Sequence, residues 1–133
     1  MMTLDTRPYM QDRAAEEFFS RLAEGKFQST RCAACGAAHY PPRVVCPECL
    51  GEDLEWFDLP REGTLLAFTW QEAAMRCRKP EVLGLVELEG IGNVFTRIDA
   101  AYEDLRIGQR VIFDTWTSPD GLVLHQFRPL KGG

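Results

Sequence analysis

The chain has 133 residues, of which 45% are hydrophobic and 26% charged, a composition typical of a soluble globular protein and not of a disordered one. Its 15 basic and 20 acidic residues give a net charge of −5, which argues against indiscriminate nucleic-acid binding because such binding draws on many cations. No apolar run approaches the roughly 20 residues that span a bilayer, and the first residues lack the apolar core of a secretory signal, so we expect a cytoplasmic protein.

A short amphipathic helix is predicted near the N-terminus. Asp12 is a suitable N-cap, and Gly25 stands where a left-handed C-terminal cap belongs. Between them, apolar residues recur with helical spacing at Ala15, Phe18, Phe19 and Leu22. We expect this helix to pack on the body of the protein. The alternative is that the two adjacent phenylalanines contact a partner, since so short a helix has little stability alone.

The next segment contains four of the five cysteines, together with prolines and glycines, but little helical or strand periodicity. The cysteines form two C-x-x-C pairs separated by ten residues, and these are Cys32, Cys35, Cys46 and Cys49. Four thiolates from two such pairs can close a tetrahedron around Zn²⁺. Gly36, directly after the first pair, suits the tight turn that points backbone N–H groups at sulfur.

Four cysteines close the coordination shell, so a structural metal site is predicted, and His39 is interpreted as a loop residue and not as a ligand. Iron could occupy the same four sulfurs. Redox-active dithiols are a weaker alternative, because a thioredoxin-type pair opens a helix after a strand and neither pair here does. Four thiolates and one Zn²⁺ would lower the net charge from −5 by two further charges.

From Arg61 onward the chain is predicted to be strand after strand. The β-rich runs lie at 64–70, 82–88, 94–98, 111–116 and 122–127. Turn residues separate them, and Asp120-Gly121 between the last two runs is a strong hairpin signal. Five short strands in so few residues fit a small barrel, for which the OB-type fold is the commonest choice.

The sequence contains few residues that could carry catalysis. None of the usual hydrolase, metalloprotease, phosphate-loop or dinucleotide motifs occurs, and His125 falls within the last predicted strand, where packing on the sheet is the default. Cys77 is flanked by cations that would stabilise a thiolate. A nucleophile also needs a base and an orienting group, and the sequence identifies neither for Cys77. A thiol-dependent enzyme that uses Cys77 is therefore only the third hypothesis.

The loop between the first two barrel strands and the barrel aromatics have two interpretations each. The loop clusters three cations that suit phosphate groups, as on coenzyme A or a nucleic acid: Arg76, Arg78 and Lys79. The alternative is a solvated loop. Three aromatic residues on barrel strands could stack on bases or pack in the core: Phe68, Trp70 and Trp116.

Taken together, the sequence resembles the small rubredoxin-like zinc-ribbon plus OB-fold proteins that accompany thiolase-like and other acyl-CoA enzymes. The residues that carry the resemblance follow one another along nearly the whole chain: Phe18-Phe19, Gly25, Arg31-Cys32-Ala33-Ala34-Cys35-Gly36, Pro41-Pro42-Arg43, Cys46-Pro47-Glu48-Cys49, Gly63-Thr64, Phe68-Thr69, Leu105–Val111 and Phe127-Arg128-Pro129. The predicted chain is mainly β, with an N-terminal arm and helix at 1–29, a four-cysteine zinc ribbon at 30–59 and a five-stranded OB-type barrel at 60–133.

The resemblance implies an accessory subunit of a hetero-oligomer. Such proteins look like scaffolds for a thiolase-like or aldolase-like chain, or a hydratase, and help to present an acyl-CoA thioester in the degradation of substrates such as steroid side chains or aromatic acids. The family has no shared catalytic residue, so we expect the chemistry on the partner and none on this chain alone. A nucleic-acid-binding module is the alternative function, since zinc ribbons and OB barrels both serve that role.

Overall fold

The computed structural model describes residues 13–72 and 80–130, and the chain divides into two compact units, Met1–Leu59 and Pro60–Gly133. The predicted helix N-cap Asp12 lies outside the described residues, and so do the four residues of the cationic loop, Arg76, Cys77, Arg78 and Lys79. Among the described residues, no helix combines the length and the apolar character that a membrane span requires.

The N-terminal helix, α1, spans Arg13–Ala23. Its C-terminus is capped, as predicted, by Gly25, whose φ of 83° is left-handed. The Lys26 N–H bonds the carbonyl of Arg21 at 2.9 Å, which closes a Schellman cap. The buried stripe differs from the predicted one at three residues. It consists of residues spaced four apart, and the predicted Ala15 and Phe19 are only half-buried; the buried residues are Ala14, Phe18 and Leu22.

A two-stranded antiparallel sheet follows the helix. Strand β1 spans Gln28–Cys32 and β2 spans Leu54–Asp58, paired from Gln28↔Asp58 to Cys32↔Leu54. The sequence pattern did not predict these strands, because neither alternates regularly between buried and exposed positions. The long loop between them carries Tyr40, whose ring lies 6.0 Å from that of Phe18, so α1 packs on this unit.

The second unit is a closed five-stranded barrel, which confirms the predicted OB-type fold. Its strands are β3 Glu62–Gln71, β4 Glu81–Leu88, β5 Gly92–Ile98, β6 Arg110–Thr117 and β7 Val123–Pro129. Around the barrel the order is β3-β4-β5-β7-β6, with β6 returning to β3. All neighbours are antiparallel except β5 and β7, which pair in parallel at Arg97↔Gln126 and Ile98↔Phe127. The predicted hairpin at Asp120-Gly121 joins β6 to β7.

The barrel interior is filled by apolar side chains from all five strands. Among those without exposure are Leu65, Val86, Val94, Val111 and Phe127. Packing is tightest at Gly63, where an added Cβ would come within 2.5 Å of Val86 Cγ1 and 2.6 Å of the Glu87 carbonyl oxygen. Strands β3 and β4 can therefore approach this closely only because residue 63 has no side chain.

A polar network crosses the barrel wall from β4 to β7. The carboxylate of Glu81 accepts a 2.7 Å hydrogen bond from Arg97 Nε, with side chains only 7% and 23% exposed respectively. The same guanidinium also donates to Gln126 and lies 4.7 Å from the ring centre of Trp116. Trp116 is therefore a half-buried partner of Arg97 on the barrel wall.

Half-buried His125 makes the stability of the barrel depend on pH. Its Nδ1 lies 2.8 Å from Thr96 Oγ1, and burial lowers the pKa of His125 from 6.5 to about 4. Between those pH values the unfolded chain binds a proton that the folded chain does not, so stability falls as pH drops from about 6.5 towards 4. With allowance for partial exposure, we expect a loss of about 2 kcal/mol.

Chemical denaturation at several pH values measures this loss. His125→Asn keeps an acceptor for the Thr96 hydroxyl but cannot titrate, so its unfolding free energy should change less between pH 6.5 and 4. Buried His39 also has a lowered pKa, but it contributes equally to both proteins and cancels in the comparison. Equal losses in the two proteins would show that His125 does not control this pH dependence.

Candidate metal centre

Two tight turns of the ribbon unit carry the cysteine pairs. In the first turn the Gly36 N–H bonds the Cys32 carbonyl at 2.8 Å, and Gly36 has a left-handed φ of 79°, as predicted. In the second turn the Leu50 N–H bonds the Cys46 carbonyl at 2.8 Å, and Leu50 has a φ of 64°. The two turns thus have the same construction, with leucine at the position where the first has glycine.

Backbone N–H groups point at the sulfurs, as the predicted turns require. The Cys35 N–H donates to Cys32 Sγ over 3.4 Å. Ala37 supplies an N–H to the Cys35 sulfur, and Gly51 supplies one to the Cys49 sulfur. Each of these donors lies two or three residues after the cysteine whose sulfur accepts the hydrogen bond. Such hydrogen bonds favour the charged thiolate, which is the form that binds metal.

The four cysteines gather around one point. Their sulfur atoms all lie within 4.8 Å of one another, with Cys32 and Cys49 3.5 Å apart and Cys35 and Cys46 3.6 Å apart. A tetrahedron with metal–sulfur bonds of about 2.3 Å has edges of about 3.8 Å, whereas a disulfide bond measures about 2.0 Å. The donor set therefore fits a single tetrahedral thiophilic metal ion.

Without metal, the sulfurs hold protons unequally. The N–H of Cys35 is the main cause that lowers the pKa of Cys32 to about 7. The N–H of Ala37 acts in the same direction on Cys35, but the Cys46 thiol and burial outweigh it and raise the pKa of Cys35 to about 12. At neutral pH a metal ion must therefore displace protons from the cluster, so its affinity rises with pH.

His39 lies in the loop between the two cysteine pairs but outside the sulfur cluster. It is buried, and its Nδ1 lies 3.0 Å from Thr30 Oγ1. Thr30 Oγ1 accepts the Arg43 N–H at 2.9 Å, so its own hydroxyl hydrogen is free to bond Nδ1. The ring thereby anchors the loop to β1, and the site geometry agrees with the interpretation of His39 as a loop residue.

The barrel aromatics are not all core residues. Trp70 is exposed at the end of β3, where it lines a cavity of about 420 Å³ together with Val82 and Tyr102. Phe68 is half-buried and meets the Tyr102 ring edge-on at 5.2 Å. The interpretation of Trp70 as a core residue is therefore wrong, because half of its surface is exposed.

Two family descriptions match adjoining parts of the chain. Residues 19–55 match the rubredoxin-like zinc ribbon domain of ChsH2, and residues 56–113 match the C-terminal OB-fold domain of ChsH2. A DUF35 domain-containing scaffold protein of Methanocaldococcus jannaschii is 29% identical over 86 residues, which cover 61% of this chain and 61% of that protein. The match thus spans less than two thirds of that relative.

Two solved structures resemble this one. A chain of the Ltp2-ChsH2(DUF35) aldolase superposes with a TM-score of 0.80 and 26% identity, over 92% of this chain and 98% of that chain. A DUF35 protein of unknown function from Sulfolobus solfataricus has the same fold, with a TM-score of 0.64 and 18% identity over 89% of this chain and 86% of that one. Because the two family matches together cover more than two thirds of the sequence, the chain belongs to the ChsH2 family of rubredoxin-like zinc-ribbon and OB-fold proteins.

Proposed function

We propose that this protein is a zinc-binding scaffold subunit of an acyl-CoA-processing complex. The observation that carries the proposal is the likeness, over nearly the whole of both chains, to a ChsH2 chain solved in an aldolase complex with Ltp2. The similarity to a scaffold protein of Methanocaldococcus jannaschii supports the same role. The catalytic partner of this chain is then a thiolase-like or aldolase-like subunit.

The metal in this proposal is zinc, held by all four sulfurs: Cys32, Cys35, Cys46 and Cys49. Zinc there is structural, because four thiolates fill its tetrahedral shell and leave no position for substrate or water. Iron fits the same donors chemically, and the match to a zinc ribbon family favours zinc. Thiolate ligands stay reduced in the cytoplasm, where we place the protein.

The substrate of the complex is a β-oxoacyl-CoA or a β-hydroxyacyl-CoA, whose carbon–carbon bond the partner cleaves or forms, as in steroid or aromatic degradation. The scaffold holds the partner in its active arrangement and helps to present the thioester. We assign any direct contact with coenzyme A phosphates to the cations of the β3–β4 connection, Arg76, Arg78 and Lys79. Guanidinium groups suit phosphate recognition.

Co-expression with a thiolase-like or aldolase-like protein of the same organism tests this function. We expect the two chains to co-purify as a complex, and the partner's turnover of a β-hydroxyacyl-CoA to fall at least about tenfold when this chain is omitted. This chain alone should show no turnover. Full activity of the isolated partner without physical association would contradict the proposal. Oligonucleotide binding that weakens steeply with salt would favour the nucleic-acid alternative instead.

A further inference from the structure

The loop that carries the second cysteine pair exposes an apolar cluster. Seven large hydrophobic side chains are exposed among the described residues. Three of them lie in one stretch of seven residues in this loop. They are Val44, Val45 and Leu50, which we call the knuckle surface. Leu50 is 75% exposed, the highest value of the seven. Apolar side chains clustered in this way on a protein surface commonly mark an interaction site.

The backbone brings two members of the knuckle surface together. The Leu50 N–H bonds the Cys46 carbonyl at 2.8 Å, and the Cys46 N–H bonds the Gly51 carbonyl at 2.8 Å. Val45 is covalently joined to Cys46 and Leu50 to Gly51, so these two hydrogen bonds hold the backbones of Val45 and Leu50 close together. The hydrophobic cluster is therefore fixed by the turn that presents Cys46 and Cys49 to the metal.

Leucine at position 50 is unfavourable for the isolated chain. The left-handed conformation disfavours a residue with a Cβ, and the equivalent position of the first turn has Gly36. Packing does not compensate, because the Leu50 side chain is largely exposed. Strained residues of this kind occur at functional sites, and here the exposed side chain is the one thing that leucine provides and glycine does not.

A cation borders the knuckle surface. Arg43 immediately precedes Val44, and both line an open groove of about 610 Å³ whose wall includes Leu54 and Trp56. The Arg43 side chain is exposed and forms no salt bridge with any described residue. In a chain with a net charge of −5, a guanidinium that has no salt bridge to a described carboxylate and lies beside apolar side chains is complementary to an apolar surface that bears a carboxylate.

We propose that the knuckle surface and Arg43 dock on the catalytic subunit of the complex, against an apolar patch of that subunit that carries a carboxylate. The proposal rests on the scaffold function proposed above and names the surface through which it acts. Because the turn at 46–51 is shaped around two metal ligands, docking requires the metal. The zinc ion thus organises the interface without touching the substrate.

The substitution Leu50→Gly separates docking from folding. Glycine adopts the left-handed conformation freely, so resistance of the bound metal to a chelator should rise about tenfold. Loss of the exposed side chain should at the same time weaken affinity for the co-expressed thiolase-like or aldolase-like subunit at least about tenfold. If Leu50 had only a structural role, its replacement would not raise metal retention and lower partner affinity at the same time. Isothermal titration with the zinc-loaded full chain measures the affinity, and metal release to a chelator measures the first effect.

A matched control is Ile107→Ser, which removes an apolar side chain that is 72% exposed on the barrel unit and should leave the affinity unchanged. Val45→Ser and Arg43→Gln should each weaken binding about threefold or more and provide independent variants. Unchanged affinity for Leu50→Gly and Val45→Ser would overturn this surface while leaving the scaffold function intact. Self-association of the wild type that Leu50→Gly abolishes, with no effect on the partner, would assign the surface to a second copy and overturn the proposal. Absence of wild-type binding would instead refute the scaffold function itself.

Discussion

Removal of the metal with a strong chelator is expected to unfold residues 28–58, while the five-stranded barrel keeps its structure. Over residues 13–59 the ribbon unit has one ladder of five residue pairs and a single isolated bridge, and an isolated two-stranded sheet is marginally stable at best. The free energy of binding a structural zinc ion, about 10–16 kcal/mol in small zinc peptides, is largely free energy of folding. The barrel has its own apolar core and contains none of the four clustered cysteines.

Backbone NMR with metal analysis of the same samples measures the result. Amide signals of 28–58 should collapse into the unfolded range on chelation and return when zinc is added, whereas signals of the barrel strands should stay dispersed. Cys35→Ser should reduce metal content and mimic chelation. The matched control, Cys77→Ser, changes the one cysteine outside the two pairs and should leave one metal per chain. A ribbon that stays folded after complete metal removal would disprove the structural role.

Breaking the Glu81–Arg97 pair is expected to have the largest effect of any single charge removal in the barrel. Glu81→Ala should lower the free energy of unfolding by about 3 kcal/mol. The reason is that the Arg97 guanidinium, only 23% exposed, would lose the carboxylate that lies 2.7 Å from its Nε. The remaining acid near it, Asp99, is 3.9 Å away and exposed. Urea denaturation of the zinc-loaded protein, followed by tryptophan fluorescence, measures the change.

The barrel contains a control pair of the same residue types in a different environment. Glu62 and Arg110 lie 3.6 Å apart with side chains 51% and 53% exposed, and exposed pairs contribute little because water and salt screen them. Glu62→Ala should therefore cost less than about 1 kcal/mol. Similar losses for Glu81→Ala and Glu62→Ala would mean that burial does not strengthen the first pair.

Local sequence signals predicted much of the architecture. The spacing of two C-x-x-C pairs identified the four sulfurs that lie within 4.8 Å of one another. This was possible because the tetrahedral geometry of a metal site restricts the sequence spacing of its ligands. Runs rich in β-branched and aromatic residues, separated by turn residues, located all five barrel strands to within about two residues at each end. Asp120-Gly121 predicted the hairpin between β6 and β7 correctly, because this dipeptide suits a tight turn.

Features that depend on distant parts of the chain were missed. The strands β1 and β2 pair across a long cysteine-containing loop, and short strands without alternation carry no local signature. The left-handed Leu50 was also not foreseen, because leucine ordinarily avoids that conformation. The exposure of Trp70 at the end of β3 was missed as well, because the strand propensity of a residue does not say whether its side chain is buried.

The parallel pairing of β5 with β7 has a consequence for how the chain folds as it is synthesised. On the edge of β5 that faces away from β4, Arg97 and Ile98 pair with Gln126 and Phe127, so the barrel wall stays open until β7 has left the ribosome. Contacts between such separated residues form slowly, and unpaired strand edges invite aggregation in the meantime. By contrast, the two turns that carry the cysteines are synthesised long before β7. The nascent chain can thus bind its metal first, and β7 closes the barrel last.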